Sequence, residues 1–554
     1  MNPPVRTFVV RLLVLFVFAM TLFCARPADA YSVLSHEEVV DMAWKTTIIP
    51  MLKSRFPGIS DDDLRQAHAY AYGGSVIQDL GYYPFGSHYF SDLLHYVRPA
   101  EFVATLIRDS TTPNEYAFAL GALAHFSGDI IGHPAINQVT ADENPTLAHL
   151  FGHSVTYAES PTAHIRTEFG FDVVEVAQGH YSQENYRDFV GFQVSKVLME
   201  RAFLETYGIQ MNTVLTHEDL AIATYRRAVS SLIPNITKVA FVTYKKQIEQ
   251  ATPGTDKNKF LYRLNQTEYA REFGTDYTHV SFPGRMLALL LRILPKAGPL
   301  KALKVTIPDA KQQDLYLKSI NTTVDRFKLY LGEIRAAPAP LPPPDPRNAI
   351  EARKAADKMS KDANKIAKLA EKTVDPDDKA RKEKVAGNVR KVAAAADATA
   401  TRTEEKADKA QAAMDAGEAI PRSRGELAAD HVITPPTAPK LPDLDLDTGK
   451  PSTVGEYRLA DRTYAHLLDD LVKRAANAKA PASAMSPDMQ PSVPAGVAAA
   501  IEKFFAHPVL HTGPPPSPRE AASQQALARR IEVGLARLRT MQIAPTATGP
   551  ATGR

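Results

Sequence analysis

From residue 31 to about residue 330 the apolar positions recur with the period of α-helices, carried by Leu, Ile, Val and abundant aromatics. About 300 residues of this kind can bury a large core. An all-α, multi-helix domain is therefore expected over 31–330. The clearest element lies between Ala124 and Asn137, which reads A-H-F-S-G-D-I-I-G-H-P-A-I-N. Small and apolar residues from Ala119 to Ala124 and from Ile130 to Gly132 mark a buried helix. Within it His125, Asp129 and His133 stand four residues apart. Each sits about one turn beyond the last with about 40° of drift, so the three side chains share a face.

The pattern changes at Ala336. Residues 337–346, A-P-A-P-L-P-P-P-D-P, predict an extended, stiff linker. The Ala, Lys, Asp and Glu run from Glu351 to Ala416 favours helix but has few large apolar residues, so it buries almost nothing. Pro-rich breaks at 435–442 and 514–518 flank amphipathic stretches, Tyr457 to Ala476 and Arg519 to Met541. Residues 336–554 are expected to form a low-complexity, mostly disordered tail with transient helices. A net charge of +3 carries no nucleic-acid signature.

A buried helix bearing two histidines and an aspartate needs partners for them, because each unpaired group costs about 1–3 kcal/mol. Imidazole and carboxylate are ligands that zinc accepts. Histidine usage is concentrated nearby: ten of the sixteen lie between Tyr31 and His180. His164 and Glu168, in H-I-R-T-E, repeat the one-turn spacing, and Asp79 and His95 add two further candidates. Together they form a set large enough for more than one metal ion.

The first thirty residues read as a secretory signal peptide. Arg6 and Arg11 precede an apolar run from Leu12 to Ala25, and Ala28-Asp29-Ala30 follows as a cleavage site. The run is shorter than the roughly 20 apolar residues of a spanning helix. Cys24, the only cysteine, lies inside it. A secreted or periplasmic protein beginning at Tyr31, without thiols, is expected.

An N-terminal aromatic followed by a histidine, then D…H, H-x-x-x-D…H and H-x-x-x-E, resembles the zinc-dependent phospholipase C family, which is related to single-strand-specific zinc nucleases. The resemblance covers roughly Tyr31 to Asp172, extends over the helical remainder to about residue 330, and implies an all-helical domain with up to three zinc ions. By that likeness Asp79, His95, His125 and Asp129 hold one ion, and His133, His164 and Glu168 a second. Tyr31, through its backbone amino and carbonyl groups, His36 and a shared Asp129 hold the third. Asp79 and Asp129 are then the catalytic carboxylates, Asp129 by bridging two ions and Asp79 by orienting or deprotonating the attacking water. His133 follows Asp129 more closely than the family pattern has it, and Pro134 is expected to turn the helix there. His149 and His153 stand as alternatives to His164.

The implied activity is hydrolysis of phospholipid headgroup phosphodiesters by a metal-activated water. The alternatives are a zinc nuclease on the same site and a non-catalytic zinc-binding scaffold. Phospholipid is the expected substrate and nucleic acid the less favoured one. Tyr82, Tyr83, Phe85, Tyr89 and Phe90 offer a lipid-facing or base-stacking lining, or ordinary core. Residues 285–304, apolar and basic together, offer peripheral membrane contact. All expected ligands precede residue 335, so a chain ending there is expected to keep full turnover.

Overall fold

The computed structural model of the chain describes residues 33–178, 192–229, 307–339, 434–477, 493–506, 518–539 and 543–544, with isolated positions between 353 and 401. The proposed signal peptide, Tyr31 and the basic stretch at 285–304 lie outside the described residues.

The described elements are nearly all helical. The first part comprises α1 (Val33–Ala43), α2 (Ile49–Arg55), α3 (Asp61–Gly74), a 3-10 turn (Ile77–Tyr82), α4 (His88–Tyr96), α5 (Pro99–Asp109) and α6 (Pro113–Glu143). It continues through α7 (Pro145–Phe151), α8 (Pro161–Gln178), α9 (Lys196–Tyr207), α10 (Met211–Val214), α11 (Glu218–Arg227) and α12 (Ala310–Glu333). Then come α13 (Arg458–Asn477), α14 (Ala495–Phe505) and α15 (Pro518–Leu538). Two short strands, Val493–Pro494 and Ile543–Ala544, pair in parallel.

Helix α6 is the axis of the body, touching α1, α3, α5, α8 and α12. Thr112 and Glu115 start it with a capping box that satisfies two amide donors reciprocally. Its residues from Tyr116 to Ile130 are buried without a solvent-exposed face, as befits a helix enclosed on all sides. Alongside it runs α3, closely enough that a Cβ on Gly121 would stand 2.0 Å from Ala71 O and one on Gly74 2.0 Å from Phe118 O. Only glycine permits that approach.

Two features differ from the sequence-based expectation. Helix α6 does not turn at Pro134 but runs through it to Glu143. Proline removes the N–H that would bond the Ile130 carbonyl, so the helix leaves that oxygen to its surroundings. Second, described parts of the proposed tail belong to the main core. Leu446, Tyr457, Leu467, Leu471, Ile501 and Leu538 are buried in the same apolar cluster as Val33, Phe90 and Leu123. The linker also begins inside this body. Arg55, buried and next to Phe56, donates through Nη1 to Ala337 O at 3.1 Å and Thr434 O at 3.4 Å, and through Nη2 to Ser110 O at 3.3 Å. Arg335 and Thr437 exchange backbone hydrogen bonds as an antiparallel bridge. Residues 335 and 437 are thus held side by side at the edge of this body. Most of residues 340–433 lies outside the described residues.

Candidate metal centre

Three successive turns of α6 carry His125, Asp129 and His133 to one side, where α1 brings His36, the 3-10 turn Asp79, α4 His95, and α8 His164 and Glu168. None of these side chains belongs to a residue more than 3% exposed. Asp129 is the hub. Its Oδ2 lies 2.9 Å from His125 Nε2, 3.4 Å from His95 Nε2 and 3.8 Å from His133 Nε2. Its Oδ1 lies 3.5 Å from His36 Nε2. Asp79 faces His95 Nε2 at 3.3 Å through Oδ1 and His125 Nδ1 at 3.9 Å through Oδ2. His164 Nε2 and Glu168 Oε1 are 2.7 Å apart, and the rings of His133 and His164 stack.

The local folding orients these rings. His95 Nδ1 donates to Ser91 O at 2.8 Å, one turn back on α4, and His125 Nδ1 donates to Ser75 O at 3.0 Å. A carbonyl only accepts, so Nδ1 carries the proton in both rings and Nε2 is presented to the centre. The aromatic segment at 82–90 divides. Tyr82 borders the site beside His95, and Tyr157 covers His164. By contrast Tyr83 meets Tyr225, Phe90 stacks on Phe203, Tyr89 stacks on His466, and Phe85 is exposed.

Three groups have ligand atoms within 4.8 Å of one another: His36, His125 and Asp129; Asp79, His95 and His125; and His133, His164 and Glu168. Close nitrogen–oxygen approaches here are not all hydrogen bonds. Both oxygens of Asp129 and both ring nitrogens of His133 are buried without one. Buried polar atoms are normally satisfied, and a cation among them satisfies several at once. The all-nitrogen-and-oxygen donor set is one that zinc takes.

The electrostatics favour the ligating protonation states of Asp129, His36, His133 and His164, but not that of His95. Burial alone would raise the Asp129 carboxyl, but the imidazoles of His125, His95 and His133 outweigh it and hold the group well below the usual carboxylate range. Burial pushes His36 and His133 down, with neighbouring imidazoles adding to the effect against the opposing pull of Asp129. His164 falls to about 3, again by burial. His95 goes the other way: burial lowers it, and contacts with Asp129 and Asp79 more than offset this. Neutral imidazoles around an ionised carboxylate are the forms that bind metal.

All the expected ligand residues except Tyr31, which lies outside the described residues, come together at this centre. His149 and His153, the alternatives to His164, are exposed on and after α7. One residue at the centre was not foreseen. Asp447, buried, sets Oδ1 3.2 Å from His133 Nε2. Assigning 336–554 to a tail hid it. The alternation D-L-D-L-D over 443–447, acids interleaved with leucines, was the available signal of an ordered segment.

Residues 35–216 match the model of the family described as zinc dependent phospholipase C, a span that contains every described candidate ligand foreseen from sequence and stops short of Asp447. No curated protein and no solved structure matches the chain. The arrangement of His and Asp groups and the matched span agree. Over that span, about a third of its length, the chain is similar to the zinc-dependent phospholipase C family.

Proposed function

We propose that the protein is a secreted or periplasmic zinc phosphodiesterase that cleaves phospholipid headgroup phosphodiesters on the glycerol side. The convergence of the three candidate ligand groups around Asp129 is the observation that carries this reading. His36 with Asp129, and with Tyr31 in the mature protein, would hold one ion; Asp79, His95, His125 and Asp129 a second; His133, His164 and Glu168 a third. Zinc bound there supplies positive charge for the phosphate and a water acidic enough to be hydroxide near neutral pH.

The chain's own residues do the rest. Asp79, set 3.3 Å from His95 Nε2, orients the attacking water and takes its proton on a carboxylate oxygen. Asp129 stays ionised and holds His36, His95 and His125 in one register, so charge is concentrated where the phosphate arrives. The hydrogen bonds from His95 to Ser91 and from His125 to Ser75 fix both rings before substrate binds. Tyr82 and Tyr157 wall off the site and keep bulk water from it. Hydroxide adds to phosphorus, the bond from phosphorus to the glycerol oxygen breaks, and diacylglycerol leaves with the proton that Asp79 took.

The test is metal content and turnover of the mature protein beginning at Tyr31, beside a version with one added N-terminal residue. About three zincs and release of phosphorylated headgroup from vesicles, weakened by the extension, support the reading. Nucleotide release from single-stranded DNA without lipid turnover favours a nuclease. Metal without turnover of either substrate favours a scaffold.

A further inference from the structure

The segment from Asp443 to Tyr457 places a carboxylate where nothing in the matched span supplies one. Leu446 is fully buried and its N–H donates to His95 O at 3.1 Å, which pins the segment against α4. The Asp445 side chain accepts from Thr448 N at 3.0 Å, and Gly449 N donates to Asp445 O at 2.9 Å, closing a tight turn around Asp447. Gly449 takes φ +64°, and a Cβ there would stand 2.5 Å from Ile130 O, the carbonyl that Pro134 leaves without its helical donor. Asn137, one turn beyond His133, donates from Nδ2 to Asp447 O at 2.9 Å. The turn is thus fitted to the stretch of α6 that carries His133.

The side chain of Asp447 is held just as firmly. Its Oδ2 accepts from the phenol of Tyr96 at 2.9 Å and from that of Tyr457. Oδ1 is left 3.2 Å from His133 Nε2, yet that nitrogen makes no hydrogen bond. Two donor atoms bound to one tetrahedral zinc at about 2.0–2.1 Å stand about 3.3 Å apart. Anchoring one carboxylate oxygen by hydrogen bonds while the other faces a ligating imidazole is the way ligand carboxylates are oriented in metal sites.

From these contacts we infer that Asp447 is a further protein ligand of a metal ion held by His133, delivered from outside the family span. The inference rests on the metal-centre reading above. It makes the C-terminal segment part of the centre and gives that ion a protein donor in a position which would otherwise be open to water or phosphate.

Zinc content and the rate of zinc loss to a chelator, measured on the full mature chain and on Asp447→Asn, test it. The expected result is about one equivalent less zinc, or loss of one equivalent about 10–100-fold faster, in the variant. Asp447→Cys, loaded with cobalt, provides a second readout: a thiolate-to-cobalt charge-transfer band appears if position 447 ligates. A folded Asp447→Asn that keeps wild-type content and release rate, or a folded Asp447→Cys without that band, overturns the inference. Wild-type chain that binds no metal contradicts instead the reading of the centre itself.

Discussion

At the scale of single residues, Asp129 carries the most. It faces His36, His95, His125 and His133 within 3.8 Å, and its ionised state rests on those imidazoles. Asp129→Asn keeps the shape and removes the charge, so zinc content should fall and turnover drop by at least about 100-fold. His149→Ala, on the exposed face of α7, should leave both at wild-type values. Glu143, near the end of α6, makes a different prediction. Burial pushes its carboxyl up from 4.5 to about 7, Asp309 and Asp142 adding to the rise and the hydroxyl of Thr167 opposing it. The folded state therefore holds this proton more tightly than the unfolded chain, so Glu143's contribution to stability is fully present below about 4.5 and is lost as pH rises through about 7. Denaturant melts of Glu143→Gln should lose that slope, and an unchanged slope would show that another group sets it.

At the scale of elements, the site depends on how closely α3 meets α6. Gly121 lies one turn before His125, and a Cβ on it would stand 2.0 Å from Ala71 O and 2.9 Å from Ser75 N. Ser75 supplies the carbonyl that orients His125. Gly121→Ala should force the helices apart, cost about 1–3 kcal/mol in denaturant melts and reduce zinc retention in the same variant. Full retention would mean that the His125–Ser75 contact is dispensable. Much of this was legible in sequence, because ligand spacing on a buried helix follows from helical geometry alone. The course of α6 beyond His133 was not. Proline's local bias predicts a break, whereas burial of Ile136, Val139 and Ala141 keeps the helix going. Tertiary packing outweighed local preference there.

At the scale of the molecule, composition separated a helical body from a tail at 336, and the packing distributes them differently. Leu446, Leu467, Leu468 and Leu471 are buried in the main core, although the segments that carry them stand between Pro-rich breaks. Local composition reports what a segment can bury by itself and is silent on an apolar face offered by residues hundreds of positions away, which is why Asp447 stayed hidden. The bridge between Arg335 and Thr437 turns this into a comparison. Replacing residues 346–430 with a short Gly/Ser linker joins two points already held together, so zinc content and melting temperature should stay near wild type. A chain stopped after Arg335 uncovers the core that those leucines fill, and it should melt lower and retain less zinc, contrary to what the positions of the foreseen ligands alone imply. Equal behaviour of the two deletions would show that the C-terminal segments contribute nothing to the body.

The most direct measurement is anomalous scattering at the zinc absorption edge from crystals of the zinc-loaded mature protein. The account predicts peaks beside Asp129, shared with His36 and with His95 and His125, and a further peak at His133, His164 and Glu168, each about 2.0–2.2 Å from its nitrogen and oxygen donors. Zinc-loaded crystals with no peak at any of these side chains would contradict it.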